Sequence, residues 1–331
     1  MRGNLVYVWW FAIFLLAGCV MMYAYRAWRQ HANDLALAID SPAGIQEARF
    51  VDIGGIEQWI QVRGEDRRNP VILVLAGGPG NSLVPLTPVF RDWEKQFTVV
   101  QWDQRGAGKT YGRNGKDHGP MTIDRMVRDG IEVSQYLHDY LQQPLIIVGH
   151  SWGTVLGVLM VKSRPDLYAA YVGTGQVVSK AEKEEIIYAQ LMEKVRAAQD
   201  EAAIRRLDAI GAPPYDSQKD LRVQRKISQR YDTEAERNLE SDLRPVVLFA
   251  PDYSLLDIVH FLQGSKFASD ALYKEMLSYD ARKLGPKFDL PFFVFNGDKD
   301  VITPSDPARE YIDFIDSPTT AFVPLADGGH S

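Results

Sequence analysis

The sequence predicts an α/β fold, a mostly parallel sheet with helices on both faces, and three features predict it. Short runs such as "PVILVLAGG", "FTVVQWD" and "PLIIVG" are continuously apolar, as strands buried on both faces are. Segments of helical spacing stand between them, the order that a parallel sheet requires. At 331 residues and 46% hydrophobic content, the chain is long enough to bury a large core.

The N-terminus differs from the rest. From Gly3 to Tyr25 there is no charged residue, and about 20 apolar residues suffice to cross a hydrocarbon core as a helix. Tyr7, Trp9 and Trp10 near one end, with Tyr23, Tyr25 and Trp28 near the other, match the aromatic belts of membrane spans. Residues 1–25 are therefore expected to form an uncleaved transmembrane anchor. The alternative is a lipoprotein-type signal, because "LAGC" at Leu16 to Cys19 resembles a lipobox, although the residues after Cys19 stay apolar. Arg2 precedes the span and Arg26 and Arg29 follow it, which leaves the membrane side open.

A polar linker is expected over 26–47, then an α/β domain over 48–176 and 286–331. "ARFVDIGG" and "EQWIQVRG" read as a hairpin around Gly54 and Gly55. "TIDRMVRDGIEVSQYLHDYL" keeps Met126, Val127 and Leu137 at helical spacing, and "LPFFVFNG", "SDPAREYIDFI" and "TTAFVPL" give a late strand, helix and strand. Residues 177–285 read as helix throughout, a helical cap inserted into the domain. "SKAEKEEIIYAQLMEKVRAA" opens with a capping box, Ser179 and Glu182, and Gly211, Pro213 and Pro214 end that segment. "SLLDIVHFLQ" and "SDALYKEMLSYDARKL" are read as two further helices.

Composition excludes several functions. Lys+Arg 37 against Asp+Glu 43 gives a net charge of -6 without a basic tract, so nucleic acid is not an expected partner. Cys19 is the only cysteine, and the six histidines show no HExxH spacing, so neither an internal disulfide nor a metal site is expected. "GAGKT" resembles the end of a phosphate-binding loop, but that pattern needs glycine at 103, where Asp103 stands. Asp103 and Arg105 are read instead as residues that tie loops together. No cofactor is expected.

The chemistry concentrates in "LIIVGHSWGTVLG". A strand runs through Gly149-His150-Ser151-Trp152-Gly153 into a helix, the context of a GxSxG nucleophile elbow. A serine hydroxyl needs a base, itself oriented by a carboxylate, and in this topology the order is serine, acid, histidine. "FFVFNGDKDVITP" supplies Asp298 and Asp300 after a late strand, and "AFVPLADGGHS" supplies His330 after the last. His150 is expected to point away from the serine, and Asp327 to be a loop residue.

From about residue 48 to its end, the chain resembles the α/β-hydrolases, and among them the prolyl iminopeptidase-like group of serine peptidases. "AGGPG" at 76–80 is similar to the group's HGGPG, "WDQRGAGKT" at 102–110 to DQRGxGxS, and "GHSWG" to GxSWG. The resemblance implies a GxxD acid, here Gly297 to Asp300, so Asp300 is chosen over Asp298. It also implies an oxyanion hole made by the backbone N–H groups of Gly78 and Trp152. The implied activity is acyl transfer through an acyl-enzyme on a small-molecule or short-peptide substrate with a free N-terminal proline. A small-ester esterase and an inactive hydrolase-fold binding protein are the alternatives.

The chain departs from the group in three ways. Ala76 replaces the motif histidine. All seven tryptophans lie at or before Trp152, so the cap lacks the group's tryptophan and glutamate motif, leaving Glu182, Glu184, Glu185 and Glu193 as carboxylates for a substrate amine. Members also continue past the histidine into a helix, so a longer native chain is expected.

Overall fold

A computed structural model describes residues 2–231 and 234–330. Met1 and Ser331, the outer limits of the expected anchor and α/β segments, lie outside the described residues. Eight strands form one sheet: β1 (Ile45–Ile53), β2 (Ile56–Gly64), β3 (Val71–Leu75), β4 (Thr98–Asp103), β5 (Leu145–His150), β6 (Tyr168–Thr174), β7 (Phe292–Gly297) and β8 (Thr320–Leu325). Their order is β1-β2-β4-β3-β5-β6-β7-β8. β2 pairs antiparallel with both β1 and β4, and every other pair is parallel. The expected fold class is thus observed, hairpin included.

Burial follows the apolar runs. All five residues of β3 and all six of β4 are buried, as strands covered on both faces must be. Helices α2 (Gly108–Asn114), α3 (Ile123–Leu141) and α4 (Trp152–Ser163) lie along the first half of the sheet sequence. In α3 the Thr122 side chain caps the N-terminus, and Met126, Val133 and Leu137 go into the core that Ile147 and Leu156 also line.

Between β6 and β7 the chain runs through α5 (Lys180–Ala197), α6 (Glu201–Ile210), α7 (Gln218–Ser228), α8 (Glu234–Leu248) and α9 (Leu255–Leu277), followed after β7 by α10 (Ser305–Phe314). Two details differ from expectation. The Ser179 side chain caps α5, but Glu182 pairs with Arg282 at 2.7 Å instead of closing a capping box. The two helices expected near residues 254–284 are one, because Gly264 continues the helix where it presses on a neighbour. A Cβ at Gly264 would stand 2.6 Å from the Gly106 carbonyl oxygen and 3.1 Å from Tyr111.

The N-terminal helix α1 spans Arg2–Ala36 and so runs well into the stretch expected to be a linker. From Trp9 to Ala36 it is long and apolar enough to cross a membrane, by length and composition. The extra turns are helical because they have partners. Arg26 donates to the carbonyls of Leu248 (3.0 Å) and Tyr253 (2.6 Å), Gln30 to Ala250 (2.6 Å), and Asn33 to Phe249 (3.0 Å). These carbonyls end α8 and begin the following turn, where a helix leaves its acceptors unsatisfied.

Arg105 and Asp129, both buried, form a two-pronged pair at 2.6 and 3.1 Å. Arg105 also donates to the carbonyls of Gly54 and His118, while Gln58 and Arg125 bond Asp129. Hairpin turn, β4 loop and α3 are thereby held at one point, as expected for Arg105. Replacing Asp129 by alanine leaves a buried guanidinium unpaired and should lower stability by about 3–5 kcal/mol. Urea denaturation checks this, with exposed Arg68→Ala as the control that leaves the midpoint unmoved.

Candidate active site

Ser151 sits between β5 and α4 with φ 52 and ψ -116, a left-handed conformation for a non-glycine residue. Its neighbours explain how the turn closes. A Cβ at Gly149 would stand 2.7 Å from the Gly153 carbonyl oxygen, and one at Gly153 would run into the carbonyl of Leu75 on β3. Only glycine fits at these two positions, which sets the hydroxyl at the end of the sheet.

His330 follows β8, and Asp300 follows β7. His330 Nδ1 lies 2.9 Å from Asp300 Oδ2 and 3.1 Å from Thr303 Oγ1. Asp300 is the carboxylate brought to the histidine; Asp298 is exposed. The loop after β7 is built around Asp300. Its Oδ1 accepts the N–H groups of Ile302 and Thr303, both at 2.7 Å, and the Thr303 hydroxyl donates to Oδ2. Burial pushes this carboxyl up, but the His330 hydrogen bond and charge, with the donors of Thr303, outweigh it and hold the pKa below the usual carboxylate range. Asp327 is a loop residue, paired with Lys299 at the surface.

His150 packs against the C-terminal loop. Its ring lies 4.9 Å from that of His330, and its Nδ1 is 3.1 Å from Thr174 Oγ1. The contact puts His330 against the residue that precedes Ser151. Burial, then the His330 charge, pushes the His150 pKa down to about 4.

Gly78 and Trp152 line the same cavity as Ser151. The "AGGPG" loop is clamped on both sides. A Cβ at Gly77 would stand 3.3 Å from the Ser151 Cβ, and one at Gly80 would stand 2.7 Å from Ala268 on α9. Gly78 has φ 118, which favours glycine. The Trp152 indole donates to Gln104 (3.0 Å), whose amide reaches the Ala76 carbonyl at 3.4 Å, so the loop keeps a hydrogen bond despite the missing histidine.

The cavity has a volume of about 420 Å³, within the range of small-molecule sites. Lys180, Lys183, Arg222, Arg225 and Lys266 line it, with no Asp or Glu among the described lining residues. None of the four glutamates offered for a substrate amine is free in it. Glu182 is bound to Arg282, Glu184 is buried between Lys180 and Arg225, Glu185 is exposed, and Glu193 lines a separate cavity. Thr303, His150 and this cationic wall were missed from sequence. Only Thr303, three residues after the GxxD acid, left a local signal.

Residues 70–331 match the family model described as alpha/beta hydrolase fold, and the chain belongs to that family. It is similar to a probable aminopeptidase of Bacillus subtilis (strain 168), 28% identical over 286 residues, which cover 85% of this chain and 89% of the relative. It is also similar to a proline iminopeptidase of Heyndrickxia coagulans, 30% identical over 116 residues, 35% of this chain and 38% of the relative. Among solved structures, a proline iminopeptidase-related protein from Thermus thermophilus shares the fold, with a TM-score of 0.60, 20% identity and coverage of 86% of this chain and 91% of that one. A bacterial membrane phospholipase A shares it with a TM-score of 0.59 and 14% identity, covering 100% of this chain and 92% of that one. The chain is thus an alpha/beta hydrolase, similar to relatives named as an aminopeptidase and a proline iminopeptidase.

The neutral His150 has a consequence for acid stability. An unfolded histidine titrates near pH 6.5, whereas folded His150 takes its proton only at about pH 4. As pH falls between these values the unfolded state binds the proton and the folded state does not, so stability falls by roughly 3 kcal/mol. Asp300 acts in the same sense at lower pH, its stabilisation being present above the unfolded carboxyl pKa and lost as pH falls through its own lowered value. Urea midpoints at pH 7 and 4.5 should diverge in the native protein and move closer together in His150→Gln.

Proposed function

We propose that the chain hydrolyses short peptides or small amides through an acyl-enzyme, with Ser151, His330 and Asp300 as its catalytic triad. The observation that carries this reading is the His330–Asp300 hydrogen bond at 2.9 Å, together with a serine held at φ 52 on a strand-to-helix turn. Ser151 Oγ attacks the carbonyl carbon as His330 Nε2 takes its proton, and the carbonyl electrons move to oxygen. Backbone N–H groups of Gly78 and Trp152 stabilise that oxyanion, and one such donor is worth about 2.7–4 kcal/mol in the transition state. Collapse breaks the C–N bond, with His330 returning the proton to the leaving amine. Water, deprotonated by His330, then cleaves the ester and restores Ser151. Asp300 keeps Nδ1 protonated and stabilises the imidazolium.

In this reading residues 48–176 and 286–331 form the catalytic domain and 177–285 the cap that limits substrate size. The relatives named as aminopeptidases support a peptide substrate with a free N-terminus, proline among the candidates. A cavity without a lining carboxylate supports a second reading, a carboxylic ester hydrolase, because nothing in the described wall is left to hold a substrate amine. Proline release from a Pro-X dipeptide, measured beside hydrolysis of a short-chain aryl ester, separates the two. Ser151→Ala should abolish both while leaving the thermal transition in place, and Asp300→Asn should lower kcat by about 10⁴-fold. Turnover retained in Ser151→Ala would remove the mechanism.

Helix α1 serves here as a membrane anchor, supported by its length and apolarity and by Tyr7, Trp9, Trp10, Tyr23 and Trp28, all exposed. Cys19 lies within the helix and is exposed. Cys19→Ala should therefore leave the protein in the membrane fraction after a carbonate wash. Its release would favour the lipoprotein reading instead.

A further inference from the structure

The wall of the cavity in front of Ser151 carries more positive charge than its own partners use. Two of its five cations are engaged at the surface, since Arg222 and Lys266 both pair with Asp270, at 3.2 and 2.6 Å. The other three, Lys180 and Lys183 on α5 and Arg225 on α7, surround a single carboxylate, Glu184. Lys180 bonds it at 2.6 Å, and Arg225 Nη2 reaches both of its oxygens at 2.6 and 2.8 Å. Lys183 Nζ stands 3.8 Å from the nearer oxygen, beyond hydrogen-bond distance. Arg225 Nη1 is buried without a hydrogen-bond partner.

These groups are largely shielded from water, with side-chain exposures of 11% for Lys180 and Lys183, 19% for Arg225 and 4% for Glu184. Lys180, Lys183 and Arg225 outnumber Glu184 at this point, with Asp300 a further carboxylate whose charge acts on Lys183, so the cluster carries net positive charge. A buried excess of one sign, with donors unspent, is costly unless an opposite charge arrives. Burial, then the charge of Lys180, pushes Lys183 down to about 7, while the three cations overcome burial to hold Glu184 at about 2. All three cations line the cavity that Ser151 and Gly78 line.

We propose that this cluster is a substrate-recognition site for a carboxylate, so that the enzyme selects short substrates carrying a free carboxylate group away from the scissile carbonyl. Lys183 Nζ and Arg225 Nη1 hold that carboxylate, while Lys180 and Glu184 fix the arginine and complete the pocket. The proposal rests on Ser151 as the nucleophile of the same cavity. Two kinds of molecule supply the required group: a dipeptide through its C-terminal carboxylate, on the leaving side, and an acyl group that ends in a carboxylate, as in an aryl hemisuccinate.

The test compares matched pairs in the full-length protein: a dipeptide against its C-terminal amide, and an aryl hemisuccinate against its methyl ester. A charge-assisted hydrogen bond corresponds to roughly a ten- to hundredfold preference. The acid of one pair should therefore exceed its neutral partner by that factor in kcat/KM, mainly through KM, and the pair that shows it identifies the side of the carboxylate. Lys183→Met should bring the ratio close to one, Lys183→Arg should keep most of it, and exposed Lys287→Met should not change it. Equal kcat/KM within both pairs, or a ratio unchanged in Lys183→Met, overturns the proposal. Succinate binding to Ser151→Ala protein, followed by calorimetry, decides the site without turnover. Binding weakened at least tenfold by Lys183→Met supports it, and absence of binding, or binding indifferent to Lys183, refutes it. Inorganic phosphate bound more tightly than succinate would also overturn the assignment to carboxylates. Turnover that survives Ser151→Ala would sink the nucleophile assignment and leave the succinate result to judge the anion site.

Discussion

The structure turns on one backbone constraint, the left-handed conformation of Ser151 at the end of β5. A non-glycine residue held there costs about 1–3 kcal/mol. The turn persists because both sides of it are packed. α4 places Val155, Leu156 and Val158 fully out of water behind it, and Gly153 lets that helix begin directly against the Leu75 carbonyl. A side chain at 153 would push α4 off β3 and take the Trp152 N–H with it. The "AGGPG" loop obeys the same geometry from the other side, with Gly77 against the elbow and Gly80 against α9. The strain at Ser151 is thus balanced by core packing that also positions the candidate oxyanion donors.

Electrostatics sets the Asp300–His330 pair apart from the cavity wall. Around His330 the carboxylate of Asp300 has donors for both oxygens, so it stays ionised although buried. His150, packed against His330 and pushed down to about 4, presents an uncharged ring at neutral pH. A charged ring there would repel the imidazolium that the proposed mechanism requires at His330. The wall contributed by α5 and α7 is cationic. An anionic group is therefore drawn to the wall rather than toward Asp300, which leaves the carbonyl end of a short substrate facing the serine. The same separation disfavours a free ammonium in this cavity, since Glu184, the carboxylate beside its wall, is already held by Lys180 and Arg225.

How much of this was legible follows from how local each feature is. Strands of a parallel sheet announce themselves as continuous apolar runs, and the elbow depends on glycines two residues either side of the serine. His330 stands after β8 and Asp298 and Asp300 after β7, so chain order suggested all three, and the resemblance to a GxxD acid singled out Asp300. The cationic wall is different in kind. Arg225 reaches Glu184 across 41 positions of sequence, and nothing in "AEKEEI" distinguishes a buried Lys183 or Glu184 from neighbours on a solvated face. The two helical segments read on either side of residues 264–268 are continuous, and the reason for glycine at 264, the Gly106 carbonyl, lies in a distant loop. The contact of His150 was hidden for the same reason, since its neighbour His330 comes from the other end of the chain.

The helix α1 shows what non-local satisfaction of polar groups can do to an apparent linker. Beyond the apolar run its residues are polar, which by composition reads as a flexible connection. Yet Arg26, Gln30 and Asn33 recur on one face at intervals of four and three, the spacing that aligns side chains along a helix. That face meets the carbonyls left open where α8 ends, and Arg29 adds its guanidinium over the Phe249 ring at 5.0 Å. Arg26 and Gln30 both hold the Tyr253 carbonyl, and the hydroxyl of that buried tyrosine bonds Ser82 at 2.8 Å, just after the "AGGPG" loop. The N-terminal helix is consequently braced against the elements that wall the cavity. A helix joined in this way fixes the orientation of the cavity relative to itself, which a tether of the same length without those side chains would leave free.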